Sequence, residues 1–181
     1  NPYVVVFDDD TIPGKRWLEN CMKTMETNEG LLGTVGLLYP NPILPQNSSY
    51  YEHYLRFGWP TPGNNDKVVQ VDLVGHSWFF KKEWLSHFSR ELPDPKYNTC
   101  GEDMHFSYML QKYANIPTFV PPHPRDDMEL WGSLKGGEYG GDANSLWTSN
   151  QTNVEGTPFR QVMNEYFREQ RLKGWKLVNE R

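Results

Sequence analysis

The sequence lacks the features that mark secreted, membrane-spanning and nucleic-acid-binding proteins. Its 181 residues include two cysteines, Cys21 and Cys100, which do not form a metal-spaced pair and are too few for a disulfide framework. No apolar run approaches the roughly 18 residues that cross a bilayer, and the N-terminus lacks the basic-then-apolar pattern of a secretory signal. The net charge of -5 excludes a general nucleic-acid binder, which needs a basic surface to displace counterions.

The composition is that of a folded domain with an aromatic-rich core. Hydrophobic residues make up 37% of the chain and aromatic residues 14%, and the length suits one domain better than two. The lack of a signal favours a cytoplasmic location, and a Golgi-lumenal location follows instead if a signal or membrane anchor has been removed. We therefore expect one α/β domain with no nucleic-acid partner.

Hydrophobic periodicity predicts strands alternating with helices. The run Tyr3–Phe7 is apolar throughout, which is typical of a strand buried on both faces of a parallel sheet. Further strands are predicted over 31–39, 68–74, 78–80 and 118–120, with helices after Pro13, over 82–88, after Thr99 and over 157–173, where Thr157 is the expected cap. Residues 40–66 read as a long loop, and the glycine-rich stretch 126–156 reads as a mobile lid.

Three consecutive acidic residues follow the first strand. The carboxylates of Asp8, Asp9 and Asp10 repel one another unless a cation lies between them. Asp8 and Asp10 can project to the same side, and their hard oxygen atoms suit Mg²⁺ or Mn²⁺. The alternative is that Asp9 or Asp10 caps the next helix and the other carboxylates are solvated.

A second acidic pair, Glu102 and Asp103, lies at a predicted helix N-terminus. The helix dipole stabilises ionised carboxylates there, so either group is a candidate general base. The alternative is a capping box formed by Thr99 and Glu102, which accounts for Glu102 but gives no role to Asp103.

Histidine and tryptophan side chains add candidates for binding. His123 lies on a stiff proline-rich segment and can supply a nitrogen ligand to the same cation, with His105 as a less suitable choice inside a helix. Trp78 and the neighbouring His76 are candidates for substrate binding, because an aromatic face beside a cleft stacks on sugars. An aromatic residue in a strand is also commonly part of the core.

The order of these motifs resembles the nucleotide-sugar-dependent glycosyltransferases of the GT-A fold, family 2 in particular. The similarity covers residues 3 to 125 and rests on four segments in order: Asp8-Asp9-Asp10, Gly75-His76-Ser77-Trp78, Gly101-Glu102-Asp103 and His123. The resemblance implies a mixed, mainly parallel sheet flanked by helices. It also implies transfer of a sugar from a nucleotide-sugar donor to a glycan or another hydroxyl acceptor.

The resemblance also implies a role for each matching residue. Asp8 and Asp10 would bind Mn²⁺ or Mg²⁺ on the donor diphosphate, as a DxD motif does, with His123 completing the coordination. Gly75 would shape the donor and acceptor site, and Asp103, with Glu102 beside it, would be the base of an inverting reaction. Family members carry a nucleotide-binding half before the DxD strand, so we expect this chain to be the metal and acceptor half, completed by a larger polypeptide or a separate chain.

Three other functions fit parts of the same pattern. A two-carboxylate glycoside hydrolase would use Asp103 and one aspartate of the triplet. A non-catalytic carbohydrate-binding module would use Trp59, Trp78 and Trp131, although such modules are usually all-β. Phosphoryl transfer would use the same acids, but the sequence has no glycine-rich Walker loop.

Overall fold

Two β-sheets and four α-helices make up the part of the chain that the structure describes. The structure is a computed structural model, and it describes residues 1–40, 52–58, 64–97, 100–135, 152 and 156–181. The strands are β1 Tyr3–Phe7, β2 Leu31–Leu32, β3 Val35–Leu38, β4 Leu55–Phe57, β5 Val69–Val71, β6 Leu73–Gly75, β7 Ser77–Lys81 and β8 Thr118–Val120. The helices are α1 Trp17–Thr27, α2 Leu85–Phe88, α3 Glu102–Ala114 and α4 Phe159–Leu172. The expected α/β class and single domain are confirmed.

The larger sheet is mixed and mostly antiparallel and the described pairs of the smaller sheet are all antiparallel, so the prediction of a mainly parallel sheet is wrong. The larger sheet has the order β1-β7-β2-β8-β5, and the smaller has the order β4-β3-β6. Among the strand pairs that the structure describes, only β2 and β8 run parallel. The sequence does not indicate this arrangement of strands, because β6 and β7 belong to different sheets although a single residue, His76, separates them.

Strand β1 is an edge strand rather than a strand buried on both faces. It pairs antiparallel with β7 and with no other described strand. Val5, Val6 and Phe7 are accordingly exposed. The apolar run at 3–7 predicts a strand correctly, but its burial was overestimated.

Two predicted strands are each broken and shared between the sheets. The run 31–39 splits into β2 and β3, and the run 68–74 splits into β5 and β6 at Asp72. The buried Asp72 carboxylate accepts backbone N–H groups from Tyr39 at 2.8 Å and Val178 at 2.5 Å. Burial raises the pKa of Asp72 to about 6, against the opposing effect of those hydrogen bonds. Asp72, a polar residue within an apolar run, thus links the C-terminal segment to the sheet by a hydrogen bond.

Helices α3 and α4 have their N-caps one or two residues after the predicted caps. Helix α3 starts at Glu102 with Gly101 as its N-cap, at a φ of +97°, and no side chain caps it. Thr99 lies outside the described residues, and the predicted capping box is not formed because Glu102 is already the first helical residue. Helix α4 starts after Pro158 instead of Thr157. Its predicted apolar stripe is confirmed, with these side chains buried: Phe159, Val162, Tyr166 and Phe167.

The first part of the predicted lid is packed against the domain. Over 126–135, the Gly132 N–H donates to His123 Nε2 at 3.0 Å, and the Leu134 N–H donates to the Ile12 carbonyl at 2.7 Å. Trp131 and Ser133 are buried. Most of the remaining lid, 136–151 and 153–155, lies outside the described residues. Its glycine content predicted mobility, but the segment before residue 136 is held by backbone hydrogen bonds.

None of the helices that the structure describes combines the length and apolar character needed to cross a membrane.

Candidate metal and acid–base site

The pairing of β1 with β7 places the acidic turn beside His76. Phe7 is opposite Ser77 in the antiparallel register, so the next residues, Asp8 and His76, face each other past the strand ends. The His76 carbonyl accepts the Asp8 N–H at 3.2 Å and the Thr11 hydroxyl at 2.8 Å. His76 itself has a φ of +61°, in the left-handed region that non-glycine residues rarely adopt. The backbone of one strained residue therefore holds the acidic turn in place.

Asp8, Asp10 and His76 form a group with the composition of a divalent metal site. His76 Nδ1 lies 3.8 Å from Asp8 Oδ2 and 3.8 Å from Asp10 Oδ1, and one ligand atom from each residue lies within 4.8 Å of the others. Asp10 Oδ1 is buried and has no hydrogen-bond partner among the described residues. Two carboxylates and one imidazole suit Mn²⁺, which accepts both oxygen and nitrogen ligands. The residues present therefore fit the cation that the sequence predicts.

The electrostatics of the group show an uncompensated concentration of negative charge. Burial, together with the charges of Asp10, Glu102 and Asp9, raises the pKa of Asp8 to about 6. Burial lowers the pKa of His76; the Arg56 charge on β4 acts in the same direction, and Asp10 opposes both. A divalent cation would neutralise this negative charge, and a neutral imidazole has a lone pair that can bind it.

Asp103 lies against the same Gly75–His76 segment. Its Oδ1 accepts a hydrogen bond from the Trp78 indole Nε1 at 2.7 Å. Its Oδ2 lies over Gly75 so closely that a Cβ at that position would stand 2.5 Å from it. No side chain larger than that of glycine fits at position 75 unless the Asp103 carboxylate moves. Gly75, the last residue of β6, thus makes room for this carboxylate.

The two acidic groups belong to one site. Burial raises the pKa of Asp103 well above its ordinary value, and the charges of Glu102 and Asp8 act in the same direction, whereas the Trp78 hydrogen bond lowers it. Asp8 and Asp103 come from segments 95 residues apart, yet each lies within electrostatic range of Glu102. Two strand ends and one helix N-terminus therefore converge on a common acidic cluster.

Most of the predicted site residues meet in this cluster, in different positions. Asp9 is exposed in the turn and does not belong to the metal-binding group. Glu102 is exposed at the start of α3, where it acts on both Asp8 and Asp103. Gly75 contacts Asp103. His76, predicted to bind substrate, supplies the third potential metal ligand.

The structure does not bring His123 into this cluster. Its Nδ1 bonds to the Pro121 carbonyl at 2.8 Å, and its Nε2 accepts the Gly132 N–H at 3.0 Å. The ring is fully buried and packs against Trp17, and burial lowers its pKa to about 4. Both ring nitrogens are occupied, so in this conformation His123 has no lone pair available for a cation.

Other sequence candidates have structural roles. The buried Trp131 indole donates to the Pro124 carbonyl at 2.6 Å, and Trp59 lies outside the described residues. His105 is buried between the Tyr166 hydroxyl at 2.6 Å and the Phe88 carbonyl at 2.8 Å. Neither Trp131 nor His105 is in a position to bind a sugar or a metal.

Comparison with known proteins adds no assignment to this geometry. No protein-family model matches the chain, and no curated protein matches it either.

Proposed function

We propose that this chain carries the metal-binding and acceptor-binding residues of a glycosyltransferase that moves a sugar from a nucleotide-sugar donor to an acceptor hydroxyl. The observation that supports the proposal is the convergence of Asp8, Asp10 and His76 with Asp103 around the Gly75–His76 segment. The sequence order resembles that of GT-A glycosyltransferases, and residues from three of its four segments, all but His123, lie near one another.

Each half of the cluster has a distinct chemical task in this reaction. Asp103 Oδ2 accepts no hydrogen bond from a described residue, and it takes the proton of the acceptor hydroxyl. The acceptor oxygen forms a bond to the anomeric carbon while the bond from that carbon to the phosphate oxygen breaks. The nucleoside diphosphate leaves with the electron pair. Attack from the side opposite the leaving group inverts the anomeric centre.

Asp8, Asp10 and His76 would hold the divalent cation, Mn²⁺ or Mg²⁺. When bound, the cation supplies charge neutralisation for the diphosphate that leaves. The chain contributes the preformed turn, because the His76 carbonyl fixes Asp8 and Thr11. Separate acid–base and metal-binding groups are what sugar transfer needs, since deprotonation and leaving-group stabilisation occur on opposite sides of the anomeric carbon.

The metal half of the proposal is tested by thermal unfolding. The melting temperature should rise with Mn²⁺ plus UDP or GDP, and this rise should disappear in Asp10→Asn, because a ligand that prefers the folded state raises its stability. Asp126→Asn, which changes an exposed aspartate outside the cluster, is the matched control and should keep the rise. A rise that survives Asp10→Asn would place the cation elsewhere.

The catalytic half is tested by transfer from UDP- and GDP-linked hexoses, using the polypeptide that contains this chain with any partner half it requires. Asp103→Asn should retain the Mn²⁺-dependent thermal shift and lose about 10²- to 10⁴-fold in transfer, the usual contribution of a general base. Undiminished transfer by Asp103→Asn would refute the assigned base. Cleavage of a glycoside without any nucleotide-linked donor would favour the two-carboxylate hydrolase instead.

A further inference from the structure

Trp78 lies in the site in an orientation that suits hydrogen bonding better than sugar stacking. It is half-buried on β7, where it is paired with Val6 of β1. Its ring packs against Phe106, with centroids 5.2 Å apart, and against Phe88, at 6.2 Å. The polar end of the indole points at Asp103, and its aromatic body is anchored in the core cluster.

The contacts of Asp103 distinguish its two carboxylate oxygens. Oδ1 is bonded to the Trp78 N–H at 2.7 Å, a short distance typical of a bond to an ionised acceptor. Oδ2 lies over the bare Cα of Gly75 and has no hydrogen bond from a described residue. The carboxylate is thus fixed at one oxygen and left open at the other, as a base with a defined direction of attack requires.

The charged groups that face Asp103 all disfavour its ionised form. Glu102 comes from the same helix, and Asp8 comes from the end of β1. The Trp78 N–H from β7 is the group that opposes them, because an indole is a donor only and stabilises the negative charge. Without that donor, the carboxylate would retain a proton to higher pH and would be free to rotate.

We propose that Trp78 is a positioning residue, whose indole N–H fixes the Asp103 carboxylate with Oδ2 directed at the acceptor hydroxyl. This inference rests on the proposed function for the acceptor, and it assigns Trp78 a role different from the sugar platform that the sequence suggests. The geometry that carries it is the bond to Oδ1, the aromatic packing that immobilises the indole, and the close approach of Oδ2 to the bare Cα of Gly75.

The test is a pH titration of the metal-free protein by NMR, which needs no donor sugar. With ¹³C-labelled aspartate, the carboxyl resonance missing from Asp103→Asn identifies Asp103. Trp78→Phe keeps an aromatic ring against Phe106 and removes the donor, so the Asp103 midpoint should move up by about 1 to 2 pH units. Trp175→Phe is the matched control, because its buried indole N–H has no hydrogen-bond partner in the part of the chain that the structure describes, and it should leave the midpoint unchanged.

An Asp103 midpoint that is the same in Trp78→Phe and the native protein would overturn the inference. If Trp78→Phe does not fold, the sequentially assigned Trp78 indole N–H resonance of the native protein serves instead. It should titrate with Asp103 and lose that titration in Asp103→Asn, and an indole resonance insensitive to Asp103→Asn overturns the inference equally.

Kinetics separate positioning from general support of the site. In transfer from UDP- or GDP-linked hexoses, Trp78→Phe should lower kcat about tenfold and leave the donor KM unchanged, because the effect is confined to the base. A rise in the donor KM as large as the fall in kcat would refute the positioning role of Trp78. If no transfer is found with the native protein, the proposed function fails, while the NMR titration still decides whether Trp78 controls Asp103.

Discussion

Replacing Asp8 with asparagine should stabilise the metal-free protein at neutral pH. The carboxylate has a pKa of about 6 instead of 3.8, so folding costs free energy whenever Asp8 is ionised. A shift of about 2 units corresponds to about 3 kcal/mol if the group is fully shielded. The side chain is 55% exposed, so solvent screening reduces the expected gain to about 1 kcal/mol. For a chain of this length, that gain raises Tm by about 2 to 4 °C.

The sign of this effect depends on pH. Because the folded pKa lies above the unfolded value, the penalty is present above pH 6 and disappears as the pH falls below about 4. Asp8→Asn should therefore exceed the native protein in stability at pH 7.5 and match it near pH 4. Urea unfolding at both pH values measures the difference. Asp126→Asn, an exposed aspartate outside the cluster, should show no such gain.

A cation should reverse the order of stability. At 100 times its dissociation constant, Mn²⁺ should stabilise the native protein by about 2.7 kcal/mol, and it should do little for Asp8→Asn. Asp9→Asn is a second control, since Asp9 occupies the same turn but does not belong to the metal-binding group, and it should keep the response to Mn²⁺. If Asp8→Asn is destabilising without metal at pH 7.5, the acidic turn is a capping structure and the reasoning is refuted.

Protons should compete with the same cation. With its pKa at about 6, Asp8 is mostly protonated at pH 5, which alone should weaken Mn²⁺ binding roughly tenfold relative to pH 8. Isothermal titration calorimetry at the two pH values measures this ratio. Equal affinity at both would mean that Asp8 is not a ligand.

Two further predictions concern the scaffold. Gly75→Ala should displace the Asp103 carboxylate, which would lie 2.5 Å from the new Cβ, and should cost about 1 to 3 kcal/mol by overpacking; a crystal structure with Asp103 unmoved would contradict this. Asp72→Ala should destabilise by about 2 kcal/mol in urea unfolding, because the Tyr39 and Val178 N–H groups lose their acceptor. The native protein should gain stability from Asp72 as the pH falls from 7 to 5, since the folded pKa is raised to about 6, and an identical pH dependence in Asp72→Ala would refute that assignment.

The acidic residues of the site could be predicted from sequence because their spacing carries the information. Asp8 and Asp10 follow an apolar strand directly, and Asp103 stands at a helix start, so chemistry and position agree at each point. The structure places these three together. A sequence alone does not state the distance between such segments. The β1–β7 register brings Asp8 and Asp10 beside His76, and Asp103 lies against Gly75, the residue before His76.

The sequence predicts that His76 binds substrate and does not indicate that it lies beside Asp8 and Asp10. Its part in the metal-binding group depends on Phe7 facing Ser77 across an antiparallel pair, whereas the sequence favoured a parallel sheet. The proline-rich segment made His123 a plausible ligand, but its two backbone partners are contributed by residues 121 and 132 and are visible only in three dimensions.

The helices and strands could be predicted where the hydrophobic periodicity was strong, and the prediction failed where strands were short. The stripe of α4 and the bounds of β8 agree with prediction. Strand β4 has three residues inside a region rich in proline and glycine, so no pattern marked it. The divisions at Thr34 and Asp72 were also missed, because both lie within apolar runs and owe their positions to buried hydrogen bonds.

The left-handed backbone at His76 limits which substitutions a mutational library can tolerate there. Glycine adopts that conformation freely, and asparagine and aspartate adopt it with little strain, whereas β-branched residues do so at a high energetic cost. Because the same residue's carbonyl holds the acidic turn, valine or isoleucine should unfold the turn before the loss of the imidazole matters. Folding selection at position 76 should therefore accept glycine and asparagine, and selection for metal binding should then separate them from histidine.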